Sequence, residues 1–256
     1  MSLATADGPL SAQPAESNYE IEGPAHKIFW HPHTRRLRAE LAGETVIDTR
    51  AARLLYETGI RPRLYVPLAD VRHDLIEPSE TTSYCPFKGT ASYRSVRVRD
   101  RVAKDALWVY DEPNRETHWL DGYAGVYEER FDRSLDEDDE VLGHLPDPFH
   151  RVDIRHSSRT ARVLGPDSSV LAESSSPLIV SETGVRDRIY LPRADVRVPL
   201  ERSEKVTLCP YKGRSTYWSV PGTPDAAWSY ETPLPESVRL AGYVSFDGDG
   251  IEVSER

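Results

Sequence analysis

Cys85-Pro86-Phe87-Lys88-Gly89 is written a second time in this chain as Cys209-Pro210-Tyr211-Lys212-Gly213, and the two pentapeptides hold its two cysteines. The flanks repeat with them: Ser79-Glu80, Tyr93 and Ser95-Val96 return as Ser203-Glu204, Tyr217 and Ser219-Val220. Upstream, Glu57-Thr58-Gly59 and most of 65–72 return as Glu182-Thr183-Gly184 and 190–197. Downstream, Trp108, Tyr110, Pro113 and Gly122-Tyr123 return as Trp228, Tyr230, Pro233 and Gly242-Tyr243. Matches in one order at nearly constant separation mark a tandem repeat. Its period, on the order of 100 residues, is too long for a solenoid unit that depends on its neighbours. The chain of 256 residues therefore reads as two complete domains, each with its own core.

Residues 1–25, rich in Ala, Ser, Pro and Glu, read as a mobile tail. The first repeat domain is expected over 26–133 and the second over 149–256. Between them, 134–148 carries Asp136-Glu137-Asp138-Asp139-Glu140 and two prolines; a dense acidic run repels itself and extends, so this stretch reads as a linker. Within the first domain, 37–46 alternates polar and apolar residues around a turn at Gly43. A strand at 54–57 is broken by Thr58-Gly59, and 63–66 is extended up to Pro67, with one helical turn after it. Further strands are expected at 90–97, 106–110 and 122–127. Many short strands separated by turns predict a mainly β, antiparallel fold with few short helical turns.

The formal net charge of −10 argues against non-specific binding to nucleic acid, whose backbone has to be met by basic side chains. Arg97-Val98-Arg99-Asp100-Arg101 is a basic patch without a counterpart in the second copy and reads as the charged face of an exposed strand. The first residues have neither a basic start nor an apolar run, and no stretch approaches the roughly 20 apolar residues of a membrane span. Two cysteines at equivalent places in separate domains are not expected to pair, which makes a reducing cytoplasm the expected location.

Two internal versions of each position allow residues to be sorted by strand face. Tyr93 and Ser95 share a face and return as Tyr217 and Ser219, while Arg94 between them becomes Trp218. Trp108 and Tyr110 share a face and return as Trp228 and Tyr230, with Val109 replaced by Ser229; Tyr65 and Pro67 behave alike. The residues held in common are aromatic and often hydroxylated. Converging, they would line a small-molecule cavity with a lysine or serine nearby. The plain alternative is an aromatic core whose hydroxyls reach partners.

Each half resembles the bacterial family called domain of unknown function 427. Its motif runs from a Tyr-Phe-Pro-type strand end through Thr-x-Cys-Pro-Trp-Lys-Gly-x-Ala-x-Tyr to a Trp-x-Tyr strand and an Ala-Gly-Tyr-Val-type closing strand. Here these are Tyr65-Val66-Pro67, 83–93, Trp108-Val109-Tyr110 and Gly122-Tyr123-Ala124, then Tyr190-Leu191-Pro192, 207–213, Trp228-Ser229-Tyr230 and Ala241-Gly242-Tyr243-Val244. The resemblance implies two tandem small antiparallel β-tent-like domains, in each of which two sheets meet at an angle over a ligand-sized cleft. It implies no activity. The departures are Phe87 and Tyr211 where tryptophan is usual, and an enlarged loop, Ile60-Arg61-Pro62-Arg63, before Tyr65.

Zinc in β-tent relatives sits between paired Cys-x-x-Cys knuckles; with one cysteine per domain, no metal and no cofactor are expected here. His31-Pro32-His33 has ligand spacing. None of the eight histidines is matched between the copies, and they read as surface imidazoles. Cys85 and Cys209 are candidate nucleophiles, with Lys88 and Lys212 three residues on to favour the thiolate. The plain alternative is a small buried cysteine, with proline fixing the turn and glycine permitting its positive φ. The expectation that results is a small-molecule ligand, bound in each domain by an aromatic cleft. Its residues are Tyr65, Phe87, Tyr93, Trp108 and Tyr110 in the first copy, and Tyr190, Tyr211, Tyr217, Trp228 and Tyr230 in the second. An enzyme centred on Cys85-Lys88 or Cys209-Lys212, acting on a small neutral or anionic metabolite, is the first alternative. A protein-interaction scaffold using the tail and the acidic run is the second.

Overall fold

Strands of two to ten residues and 3-10 helices of three to six account for the regular structure of the computed structural model, which describes Ser11 and residues 25–255. The tail expected over 1–25 lies, apart from Ser11 and Ala25, outside the described residues. The chain divides after Asp147 into two compact units.

In the first unit the strands are β1 (Ile28–Pro32), β2 (Leu37–Leu41), β3 (Glu44–Thr49), β4 (Arg53–Glu57), β5 (Ile60–Pro67), β6 (Ile76–Cys85), β7 (Gly89–Val98), β8 (Arg101–Val109), β9 (Tyr123–Val126), β10 (Arg133–Asp136) and β11 (Asp139–Glu140). Seven form one antiparallel sheet in the order β1-β4-β5-β9-β8-β7-β6, and four form a smaller one in the order β11-β10-β2-β3. The hairpin expected at 37–46 is β2–β3, turning at Ala42-Gly43, where Gly43 has φ +79°. Residues Ile60–Arg63, expected as an enlarged loop, instead begin β5; Thr58-Gly59 is a tight turn that sends the chain straight back along β4.

Alternation along the large sheet sorts its side chains into two chemically different layers. Leu54, Tyr56, Leu64, Val66, Val96, Leu107, Val109, Ala124 and Val126 face one way and pack with Leu37, Leu41, Val46 and Ile47 of the small sheet in the aliphatic core. Leu55, Tyr65, Ala91, Trp108 and Tyr110 belong to a separate cluster that takes nothing from the small sheet, with Ile28, Trp30 and Tyr93 packed against it. The matched aromatics therefore sit on the outer face of the large sheet, and the space between the sheets is a dry core.

The acidic stretch expected as a linker over 134–148 is instead part of the first unit. Ser134 and Leu135 are buried in β10, which pairs with β2 along Leu37–Glu40. The self-repulsion is relieved by cations contributed by the start of β2 and the residues before it. Asp136 accepts from Arg35 Nε at 2.8 Å and His33 Nε2 at 3.0 Å, and Arg38 Nη2 meets Asp138 at 2.6 Å. Burial alone would raise the Asp136 carboxyl, but these two partners outweigh it and hold the group down to about 2. His33, expected at the surface, is buried by this contact. The end of the stretch is anchored as well, since buried Asp147 accepts a hydrogen bond of 2.6 Å from Tyr56. The basic patch at 97–101 is likewise met by carboxylates: Arg97 by Glu77, Arg99 by Glu44 and Arg101 by Asp132.

The second unit repeats the plan with β12 (Val152–His156), β13 (Ala161–Leu164), β14 (Val170–Ser174), β15 (Leu178–Glu182), β16 (Val185–Pro192), β17 (Glu201–Arg202), β18 (Leu208–Cys209), β19 (Gly213–Arg214), β20 (Thr216–Val220), β21 (Thr223–Ser229), β22 (Tyr243–Phe246) and β23 (Glu252–Glu255). Its large sheet has the order β12-β15-β16-β22-β21-β20-β17, strand for strand that of the first unit; its small sheet is β14-β13-β23, and β18 and β19 pair apart. Both units are mainly β and antiparallel, as expected, but the cleft that the resemblance implied between the two sheets is instead filled by apolar core in each unit. The helical turn expected after Pro67 is the 3-10 turn Leu68–Asp70, repeated as Arg193–Asp195.

Candidate functional site

The repeated pentapeptide is the tip of the β6–β7 hairpin. Lys88 N–H donates to Cys85 O at 3.2 Å, closing a four-residue turn. Gly89 follows at φ +103°, and a Cβ there would lie 3.2 Å from the carbonyl oxygen of Glu112, so glycine is required both for the turn and for the approach. Asn114 pins the tip from the facing loop, its Nδ2 donating to Pro86 O and its backbone N–H to Lys88 O, each at 3.1 Å. Fixed in this way, the turn sends Lys88 inward, where it is 6% exposed, and Phe87 outward, where it is 44% exposed.

The Lys88 ammonium donates to Glu57 Oε2 at the end of β4, and His26 Nε2 donates to Glu57 Oε1 at 3.0 Å. The His26 ring lies flat on Phe87, centroids 3.7 Å apart with 6° between planes. The second unit has the same construction: Lys212 donates to Glu182 Oε2, His150 Nε2 to Glu182 Oε1 at 3.0 Å, and the His150 ring stacks on Tyr211 at 3.9 Å. Phe87 and Tyr211, expected as ligand-binding walls, thus cover histidines. The reading that no histidine is matched between the copies is overturned. His26 precedes His150 by 124 residues, as Cys85 precedes Cys209, and that offset was the available signal.

Electrostatics in the second network fix a pH dependence. Burial works to raise the Glu182 carboxyl, but the His150 hydrogen bond and the Lys212 ammonium outweigh it and hold it down to about 2. A carboxyl depressed on folding contributes stability that is complete above its unfolded value, about 4.5, and is lost as pH falls toward the folded one. Allowing for solvent screening of a partly exposed group, the contribution is about 2 kcal/mol. Urea unfolding of Glu182→Gln is expected to be weaker than wild type at pH 6, with the difference largely gone at pH 2.5. A difference that does not change with pH would remove the ion pair as its cause.

Tyr65, Lys88, Tyr93, Trp108 and Tyr110, all expected from the repeat, line one pocket of about 160 Å³ in the first unit, together with Arg63 and Tyr127. Trp108 Nε1 donates to Tyr65 Oη at 3.0 Å, and Tyr93 Oη lies 3.0 Å from Ser83 Oγ. The Tyr127 ring stands 4.6 Å from Trp108. Burial pushes the phenols of Tyr65 and Tyr110 up, so the wall presents neutral hydroxyls at physiological pH. Cys85 packs against the aromatic cluster without lining the pocket, and neither cysteine has a side-chain hydrogen bond among the described residues. The ammonium expected to activate its thiol is bound to Glu57.

In the second unit Tyr190 and Tyr230 occupy the same cluster, with Trp228 packed against it and donating from Nε1 to Tyr190 Oη at 3.0 Å. The Lys205 ammonium stands 4.4 Å above the Tyr217 ring. A depression of about 290 Å³ in this unit is lined by Arg151, Asp153, Ser181, Glu182, Thr183 and Asp187 and includes none of the aromatic residues. Among the described residues no three His, Cys, Asp or Glu side chains are placed to hold a metal, and no helix is long and apolar enough to cross a membrane.

The fold and the doubled network define a tandem antiparallel β protein in which each unit seats a Lys–Glu–His cluster behind a Cys-Pro-aromatic-Lys-Gly hairpin. The chain belongs to the family described as Domain of unknown function (DUF427), whose pattern matches it twice, over residues 30–137 and 153–255. No curated protein matches the chain.

Proposed function

We propose that the protein binds a small molecule in the aromatic pocket of its first unit. The observation that supports this best is the pocket itself: five residues chosen for being shared by two copies gather around one opening of about 160 Å³. Apolar walls with a few fixed hydroxyls and a buried cation are what small-molecule sites are made of. Native mass spectrometry of protein freshly isolated from its own host is expected to show a small retained mass, lost in Tyr127→Ala. Tyr127 is half-buried, so its removal opens the pocket without emptying a core. A retained mass unaffected by Tyr127→Ala would place the ligand elsewhere, and no retained mass in either would return the aromatics to a purely structural role.

The catalytic alternative has less support, because its lysines are bound to glutamates and its thiols have no side-chain hydrogen-bond partner among the described residues. Labelling of Cys85 and Cys209 with a disulfide reagent at pH 7 is expected to run at least about tenfold slower than for an exposed unperturbed thiol. Rapid labelling of either would revive the enzyme reading. The scaffold alternative loses its acidic segment, which is a paired strand of the first unit.

A further inference from the structure

The two copies differ in how the same arginine is used. Arg63 of β5 and Arg188 of β16 stand two residues before the matched tyrosines, Tyr65 and Tyr190. In the second unit Arg188 Nη1 donates to Asp247 at 2.6 Å, and its guanidinium lies 5.5 Å from the Trp228 ring centroid. Asp247 follows β22 at the position that Tyr127 holds after β9. In the first unit that carboxylate is replaced by the Tyr127 ring, and Arg63 lines the pocket with no ion-pair or hydrogen-bond partner among the described residues.

The remaining charges near Arg63 do not satisfy it. Glu57 is shared between Lys88 and His26. Glu128 accepts the backbone N–H of Leu145 at 2.6 Å, and burial raises its carboxyl to about 7, so much of it is neutral at physiological pH. Glu129 is exposed. A guanidinium beside an aromatic wall, at the mouth of a pocket with neutral phenols, recognises a carboxylate bidentately. In the second unit a carboxylate already stands against this arginine: Asp247 Oδ2 accepts from Arg188 Nη1 at 2.6 Å and from Arg186 Nη2 at 3.2 Å.

We infer that the first unit's pocket takes a small planar carboxylate with Arg63 as its counter-ion, and that the second unit has closed the corresponding site by supplying the carboxylate itself as Asp247. This rests on the proposed binding function and adds the ligand's chemistry and the inequality of the copies. A pocket of about 160 Å³ lies below the roughly 300–1,000 Å³ of drug-sized sites, which limits the ligand to about one ring and its acid group.

Benzoate and its uncharged isostere benzamide test this in the full chain, read from the indole N–H signals of its five tryptophans. Benzoate is expected to move the Trp108 signal, leave that of Trp228 in place, and bind at least about tenfold more tightly than benzamide, the size of one charge-assisted hydrogen bond. Arg63→Gln, at an exposed position, is expected to abolish that preference while leaving benzamide binding unchanged. Equal binding of both probes, insensitive to Arg63→Gln, would overturn the carboxylate assignment and leave the pocket standing. An equal response of Trp228 would overturn the closure of the second unit. No response of Trp108 to either probe would overturn this inference and the pocket reading together.

Discussion

Lys88→Met is expected to lower the unfolding free energy of the first unit by about 3–5 kcal/mol, the cost of leaving one member of a buried ion pair without its counter-charge. Lys88 is 6% and Glu57 4% exposed, so water cannot replace the ammonium. Among the described residues His26, hydrogen-bonded to Glu57 through Nε2 at 3.0 Å, is the side chain left against that carboxylate. The double variant Glu57→Leu/Lys88→Met removes both charges and is expected to recover most of the loss, since well-packed apolar residues often replace a buried pair at little cost. Urea titrations of the three proteins at neutral pH decide the matter. A Lys88→Met penalty below about 1 kcal/mol would mean that the pair is wetter than it stands here. Lys212→Met is expected to show the same pattern with a smaller loss, because the Glu182 side chain is 14% exposed against 6% for Glu57.

The same residues show what could be read before the fold was known. Comparing the two copies position by position found Tyr65, Lys88, Tyr93, Trp108 and Tyr110, because a pattern shared by two diverging domains selects side chains under the same constraint. Identity could not find Tyr127, whose counterpart is Asp247, or Gly125, whose counterpart is Ser245. These are the positions where the two sites part ways, and only geometry places them beside Trp108. The acidic run misled for a different reason. Taken alone, Asp136-Glu137-Asp138 repels itself. Its partners are Arg35 and Arg38, about a hundred residues earlier, brought alongside by the pairing of β10 with β2. A charge run becomes a strand when another segment brings the opposite charges, and no local rule contains that information.

Gly125→Ser is expected to displace Trp108 and abolish the proposed ligand binding in the first unit. Gly125 lies in β9 between Tyr65 on β5 and Trp108 on β8, and the indole lies directly over it. A Cβ at Gly125 would fall 2.0 Å from Trp108 Cε2 and 2.2 Å from Cζ2, where carbon atoms require about 3.5–4.0 Å. A strand bonded on both sides cannot recede by that amount, so the ring has to move. The second unit shows the outcome. Ser245 occupies the corresponding place between Tyr190 and Trp228, with its hydroxyl donating to Ile189 O at 2.9 Å. There the ring centroids of Tyr190 and Trp228 stand 6.2 Å apart, against 5.5 Å for Tyr65 and Trp108, and Trp228 is half-buried where Trp108 is 7% exposed. Because one copy already folds with serine at this position, the variant is expected to lose only about 1–3 kcal/mol, the range of ordinary overpacking. Its functional loss is larger: a red-shifted tryptophan emission and no benzoate-dependent movement of the Trp108 signal. The reverse change, Ser245→Gly, should not create a second site by itself, since Asp247 still holds Arg188; Ser245→Gly with Asp247→Tyr removes both differences at once. If Gly125→Ser binds benzoate as wild type does, Trp108 is not the wall of the site, and the glycine beneath it serves packing alone.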